Sequence, residues 1–269
     1  DQLTVATFNV ENLDPADGAP KFAALADAIV GNLRSPDILT LEEIQDNNGP
    51  INDGVVDASL TFGTLVGAIQ AAGGPAYAFV SIDPVDDADG GEPGGNIRTG
   101  LLYDPARVRF IGRPGGTATA AVSVVAGPAG PALSYSPGRI DPLNPAFSNS
   151  RKPLAAEFRY NGRKVFVINN HLNSKGGDDP LFGRYQPPAR SSESQRTQQA
   201  MVLKGFVEQL LAADASARVV VLGDLNDFQF SDTLGILEST GLETLVERLP
   251  LGERYSYVFE GNSQVLDHA

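Results

Sequence analysis

Residues 219–228 read Val219-Val220-Val221-Leu222-Gly223-Asp224-Leu225-Asn226-Asp227-Phe228. Four consecutive apolar residues, three of them β-branched, predict a buried strand. In an extended segment successive side chains alternate, so Asp224 and Asn226 project to one side and Leu225 to the other. Gly223 leaves room for a close neighbour. A carboxylate and a carboxamide therefore leave the end of a buried strand together, one an acceptor only and the other both donor and acceptor. The same Gly-Asp and Asn-Asp pairs are ordinary turn formers, so a plain turn is the competing reading of this stretch taken alone.

The pattern recurs. The strand over residues 3–8 ends at Asn9, and the strand over 38–41 ends at Glu42-Glu43. The strand over 163–169 ends at Asn170-His171, with Asn173 two residues on. Neighbouring strand ends share one rim of a sheet, so these groups are placed to converge. His171 is one of only two histidines. A convergent set rich in oxygen donors and poor in imidazole favours Mg²⁺, Mn²⁺ or Ca²⁺ over zinc, and hard cations held by one or two carboxylates usually serve phosphate chemistry.

Helical spacing of Phe22, Leu25, Ala26, Ile29, Val30 and Leu33 predicts a helix over about 20–33, and Phe62, Leu65, Val66 and Ile69 mark a second. Further strands are expected at 76–81, 98–103, 107–111, 153–160, 254–259 and 264–267. Asn161-Gly162 turns the chain between the 153–160 strand and its successor. Residues 112–150, rich in Gly, Pro, Ala and Ser, read as a long irregular excursion, and 173–190 as a polar loop. A helix over about 192–213 precedes the 219–223 strand, and Ser231 is a good cap for a short helix after it. With neither repeat nor linker, residues 1–269 form one mixed α/β domain whose hairpins require antiparallel pairing.

The chain carries 33 acidic and 20 basic residues, a net charge of −13, and no cysteine. Disulfides and thiolate metal sites are excluded. A passive nucleic-acid binder would need a basic face, but an enzyme that sets cations between its carboxylates and a phosphate escapes that objection. No apolar run is long enough to span a bilayer, no signal peptide is visible, and no obligate protein partner is evident. The acidity also suits solubility in a salty or extracellular setting.

Seven motifs in order, TFNVENL, LTLEEIQ, RTGLLYDPARV, SRKPLAAEF, INNHLNSKGG, GDLNDF and YSYVFEGNSQVLDHA, resemble the endonuclease/exonuclease/phosphatase superfamily over nearly the whole chain. Within it the chain is most similar to bacterial extracellular nucleases of the NHLKSKG type. The resemblance implies a four-layer α/β sandwich with two central, mostly antiparallel sheets, and metal-dependent cleavage of phosphate esters. A nucleic acid is the expected substrate, with small phosphate esters or lipid head groups, or a catalytically inactive binding module on the same scaffold, as the alternatives. Carried over residue by residue, it implies that Glu43 is the principal metal carboxylate and Asn9 its neighbour in the metal shell. His171 would hydrogen-bond the scissile phosphate. Asp224 would align the attacking water or bind a second metal, and Asn226 would hold a phosphate oxygen. Arg151 and Asn173 would meet substrate phosphate, although Arg151 as a surface charge is the alternative.

Lys175 is either solvated or on a flanking phosphate. Arg184, Arg190 and Arg196 would make this loop region positive for a polyanion. The acidic, Gly-rich loop around Asp83, Asp86, Asp87, Asp89 and Glu92 lacks EF-hand spacing and reads as solvated. The family usually ends in Ser-Asp-His, whereas this sequence ends Val265-Leu266-Asp267-His268-Ala269. The preferred match takes Asp267 as the carboxylate that orients the base and His268 as a bystander. The last strand or strands and the base are then expected to lie outside this sequence. The alternative takes Asp267-His268 as the terminal pair itself, with His268 as the base.

Overall fold

The first sheet of a computed structural model, which describes residues 2–269, contains β1 (Val5–Leu13), β2 (Ile38–Ile44), β3 (Ala78–Ser81) and β4 (Arg98–Tyr103) in the order β1-β2-β4-β3. β1 and β2 are parallel and joined through α1 (Gly18–Asp27), whose end widens into a π turn over Ala28–Asn32. The single helix expected over 20–33 is thus two helical segments in series. β4 runs antiparallel to β2 and β3, and α2 (Ser59–Ala71) lies between β2 and β3 in sequence.

The second sheet begins with β5 (Arg109–Phe110). The chain then makes a separate hairpin, β6 (Val124–Gly127) with β7 (Gly130–Leu133), before β8 (Gly138–Arg139), β9 (Leu154–Tyr160) and β10 (Arg163–His171). The 112–150 segment is therefore less irregular than expected. Its Gly and Pro residues hide the alternation that marks a strand. Asn161 and Gly162 both take positive φ, the conformation of the tight hairpin turn their sequence predicts. After α3 (Glu193–Ala213) come β11 (Val219–Asp224), α4 (Asp232–Glu238), a second small hairpin of β12 (Tyr257–Phe259) and β13 (Asn262–Gln264), and β14 (Asp267–His268). The sheet order is β14-β11-β10-β9-β5, with β8 also on β9, and its one parallel pair is β10 with β11.

Period-two burial stacks these pieces into helices, sheet, sheet, helices. Leu39, Leu41 and Leu102 face α1 and α2, while Ile38 and Leu101, their sequence neighbours, face the other sheet. Phe166 and Ile168 face α3 and α4, while Val165 and Val167 face inward. Truncating any of the fully buried Leu and Ile side chains among these to alanine costs about 2–5 kcal/mol. Asn169 continues the inward face. Its Nδ2 donates to the carbonyls of Leu41 and Gly100, so one buried amide stitches the two sheets together. The architecture is the expected four-layer sandwich with mostly antiparallel sheets, each holding one parallel pair joined by a helical crossover.

Candidate active site

The inward faces of the two parallel pairs meet at one rim. In β1 the inward series runs Val5, Thr7, Asn9; in β2 it runs Ile38, Thr40, Glu42; in β10 it ends at His171; in β11 Leu222 leads to Asp224. Parallel strands end together, so polar residues at the carboxyl ends of all four strands converge. Glu43 should point the other way. It is brought to the rim by a bulge: Leu41 pairs with Gly100 and Ile44 with Arg98, so two residues of β2 oppose one of β4. Glu43 takes φ +63, a strained value for a non-glycine residue. β1 is irregular at the same level, with Glu11 and Asn12 also at positive φ.

Asn9 bridges the strands. Its Nδ2 donates to Glu43 Oε1 at 3.0 Å and to Asp224 Oδ2 at 3.1 Å. The Asn12 backbone N–H donates to Glu43 Oε2 at 3.0 Å. Asp224 Oδ1 accepts from the Asn226 backbone N–H at 2.9 Å, and Asn226, at φ +51, donates its own Nδ2 to the Leu172 carbonyl. The GDLN segment is thus a turn and a site residue pair at once. Both Asp224 and Asn226 line the cleft, whereas Leu225 is buried against α3 and α4. Gly223, at φ +131, accommodates a protein neighbour: a Cβ there would lie 2.0 Å from the Asn170 carbonyl oxygen.

Four carboxylates gather here. Asp267 pairs across from Asp224 in the β11–β14 ladder, and Glu42 sits inside the rim with both oxygens bonded by Thr7 Oγ1 at 3.0 Å. Burial, followed by repulsion from Asp267, pushes Asp224 up to about 7. Burial raises Glu42 well above the usual range and raises Asp267 as well. His171 Nε2 lies 3.7 Å from Glu43 Oε1 and 3.8 Å from Asp224 Oδ2. Burial, aided by the Arg151 charge, keeps this imidazole neutral. Among the described residues its Nδ1 has no hydrogen-bond partner, and neither does Asp267 Oδ1. Glu43, Asn9, Asp224, Asn226 and Asp267 line one open cleft of about 950 Å³.

A sequence profile of the Endonuclease/Exonuclease/phosphatase family matches residues 6–269. The chain belongs to this family. It is therefore a hydrolytic enzyme of the phosphodiesterase and phosphatase type, a class that typically works with divalent metal ions. Solved structures with the same fold include the human nocturnin catalytic domain with bound sulfate, at 14% identity and TM-score 0.57, covering 99% of this chain and 81% of that one. A Bacteroides thetaiotaomicron mannosyl-6-phosphatase matches at 15% identity and TM-score 0.54, covering 99% and 84%. D. rerio TDP2 in complex with a single-strand DNA product matches at 17% identity and TM-score 0.51, covering 99% and 82%. No curated protein sequence matches this chain.

The donor set suits the family's metal. Among the described residues no three Asp, Glu, His or Cys side chains surround a common point as a closed cage would. An open site that leaves a hard cation most of its waters needs only one or two carboxylates, and Glu43 supplies one, with the Asn9 Nδ2 fixing its orientation. The surplus of carboxylates over cations at the rim is what such an ion would neutralise.

Other expected residues fall elsewhere. Arg151 is buried, not a surface charge. Its Nη2 donates to the Leu172 carbonyl at 2.8 Å, and Glu43 and Asp224 are among the charges it feels. Asn173 follows the site strand, but its backbone is held by Gln199 and Arg196, and its side chain is not among the cleft walls. Arg196 gives no positive surface. It is fully buried between Asp227 at 3.2 Å and Asp178 at 3.3 Å. Lys175 lines the cleft but is tied to Asp227 at 3.2 Å. The loop read as solvated is anchored instead, with Asp89 buried between Arg139 and Lys152 and Asp83 paired to Arg98.

His268 faces away from the cleft. Its strand neighbour Asp267 points to the carboxylates, so His268 points to the opposite face, where its Nε2 meets the Asp227 carbonyl at 2.8 Å. That geometry turns His268 out of the cleft and leaves Asp267 as the member of the pair on the carboxylate side. Sequence reasoning passed over Thr7 and the inward role of Glu42. The period-two series 5-7-9 and 38-40-42 would have found both.

Proposed function

We propose that this chain is a secreted bacterial nuclease that uses Mg²⁺, with Mn²⁺ or Ca²⁺ as substitutes, to cut phosphodiester bonds in DNA or RNA. The observation that carries this reading is the convergence of Asn9, Glu43, His171, Asp224, Asn226 and Asp267 at one rim with more negative charge than the protein itself balances. When bound, a divalent cation supplies Lewis-acid polarisation of a phosphoryl oxygen and favours ionisation of water.

Glu43 and Asn9 are the residues to hold it. The neutral His171 ring offers one N–H to a phosphate oxygen where negative charge develops, and the Asn226 amide offers a second donor. Asp224, fixed by Asn9 and by the Asn226 N–H, aligns the attacking water for in-line displacement. Asp267 orients the groups around it. Arg151 acts from behind this shell, adding one positive charge near the transferring group.

A second reading, hydrolysis of small phosphate esters, is favoured by the net charge of −13, which repels a long polyanion. The test is a panel of plasmid, single-stranded RNA and DNA, and p-nitrophenyl phosphate in Mg²⁺, Mn²⁺, Ca²⁺ and EDTA, with Asp224→Ala alongside. Metal-dependent cleavage of nucleic acid that is lost in folded Asp224→Ala is the expected outcome. Turnover confined to p-nitrophenyl phosphate would select the second reading. Recovery of the protein from the medium rather than the cell pellet tests secretion.

A further inference from the structure

Aromatic side chains stand in and beside the cleft outside the three main hydrophobic clusters. Tyr257 and Phe259 lie on one face of β12 and stack at 6.3 Å with ring planes 19° apart, yet remain 49% and 46% exposed. Their hairpin pairs only with itself, so no sheet or helix layer explains these rings. Beyond Asn226, Phe228 stacks on Phe230 at 5.3 Å and 14°, with Phe230 65% exposed and Lys175 Nζ 4.4 Å from the centre of the Phe228 ring. Phe228, Tyr257 and Phe259 share their cleft with Glu43 and Asp224. Exposed apolar surface continuous with a reaction centre is a recognition surface.

We propose that the exposed Tyr257–Phe259 pair and the exposed ring of Phe230, which rests on buried Phe228, are stacking platforms for unpaired nucleobases, and that the enzyme therefore acts on single-stranded nucleic acid in preference to duplex. This rests on the nuclease reading of the neighbouring carboxylates. A base inside a duplex has both faces covered by its neighbours, so only an unpaired or terminal base has a face to give. Charge points the same way. Duplex DNA presents about one negative charge per 1.7 Å of axis and a single strand about half that density, so a chain of net charge −13 meets far less repulsion from a single strand. Lys175 and Arg190 are the cations in this cleft, too few to track a duplex backbone. Stacking is sequence-tolerant and is worth roughly fivefold to a hundredfold in affinity per base.

The test uses a 12-nucleotide single strand, its duplex, and a 12-unit backbone whose bases are replaced by abasic tetrahydrofuran units, each in Mg²⁺. Wild type is expected to cut the single strand at least about tenfold more efficiently than the duplex. The Tyr257→Leu/Phe259→Leu protein and Phe230→Leu are expected to lose about tenfold on the single strand, mainly through KM, with cleavage of the abasic backbone unchanged. Equal losses on the abasic backbone, or none on the single strand, would overturn the platforms while leaving a nuclease. Stacking is also read without turnover, as quenching of a 2-aminopurine base in the single strand by uncleaving Asp224→Asn protein in Mg²⁺. Quenching that disappears on adding Tyr257→Leu/Phe259→Leu supports the platforms even if wild type cuts nothing, an outcome that would count against the nuclease reading alone. Absence of quenching would overturn the platforms.

Discussion

Two buried charge clusters lie side by side around β11, and they are built on opposite rules. In one, Arg196 and Lys175 face Asp178 and Asp227, two cations against two anions. Burial alone would raise both aspartates, but the Arg196 charge and the hydrogen bonds from Ser192 and Thr233 outweigh it and hold them below the usual range. In the other, Glu42, Glu43, Asp224 and Asp267 lie together with Arg151 behind them, and burial wins, driving Asp224, Asp267 and Glu42 upward. The first cluster is balanced by the fold and holds the NHLNSKGG loop to α3. The second is left unbalanced, the mark of a site whose remaining charge comes from outside the chain.

Breaking the balanced cluster should have the larger effect on stability. Arg196→Leu leaves Asp178 and Asp227 buried without their guanidinium, a change worth about 3–5 kcal/mol. Urea unfolding should show it directly, and an unchanged midpoint would mean that the pairs contribute nothing. The unbalanced cluster should respond to metal instead. Saturating Mg²⁺ should stabilise the wild type by about 2–3 kcal/mol at a hundredfold excess over Kd, read as a rise in unfolding temperature. Glu43→Gln should abolish that rise, and an equal rise in both proteins would place the ion elsewhere.

The clusters should also oppose each other in pH. With metal chelated, Asp224 has a folded pKa near 7, above its ordinary 3.8, so the folded state holds a proton that the unfolded state releases between these values. Stability should therefore fall as pH rises from about 4 to 7. Asp178 and Asp227 are depressed, so their contribution is present above about 4 and is lost as pH falls through their folded values. A stability maximum on the acid side of neutrality, erased by Mg²⁺, is expected in urea titrations across pH 3–8. The smallest effect is a sign difference between single amides. Asp224→Asn in EDTA should gain about 0.5–2 kcal/mol by removing repulsion, as site residues commonly do. Asp227→Asn should lose stability under the same conditions, and matching signs would erase the distinction.

The parts written in local pattern were legible in the sequence. Alternation and helical spacing located the central strands, α2 and α3, and the polar residues at strand ends marked Asn9, Glu43, His171 and Asp224 as a set. What escaped depends on contacts distant in sequence. Arg196 looks like a surface charge on a helix, and only Asp178 and Asp227, brought in from two loops, turn it into a buried hub. The bulge that turns Glu43 to the rim is a property of β2 against β4, invisible in β2 alone. His268 already reads as a bystander beside Asp267 in the sequence, and the β11–β14 register supplies the physical reason, because one step along a strand reverses the face. The β6–β7 hairpin was hidden by the glycines and proline that make its turn.

The central claim is that the unbalanced carboxylates take up a divalent cation and that phosphodiester hydrolysis depends on it. The direct measurement is the rate of cleavage of a single-stranded oligonucleotide by wild type and Glu43→Gln, each in Mg²⁺ and in EDTA, with unfolding temperatures recorded for both in EDTA. The expected result is cleavage by wild type in Mg²⁺ alone, at least about 10³-fold slower in Glu43→Gln, a loss of about 4 kcal/mol in transition-state stabilisation. The variant should unfold no earlier than wild type in EDTA. Cleavage in EDTA, or a folded Glu43→Gln protein within tenfold of wild type in Mg²⁺, would contradict the claim.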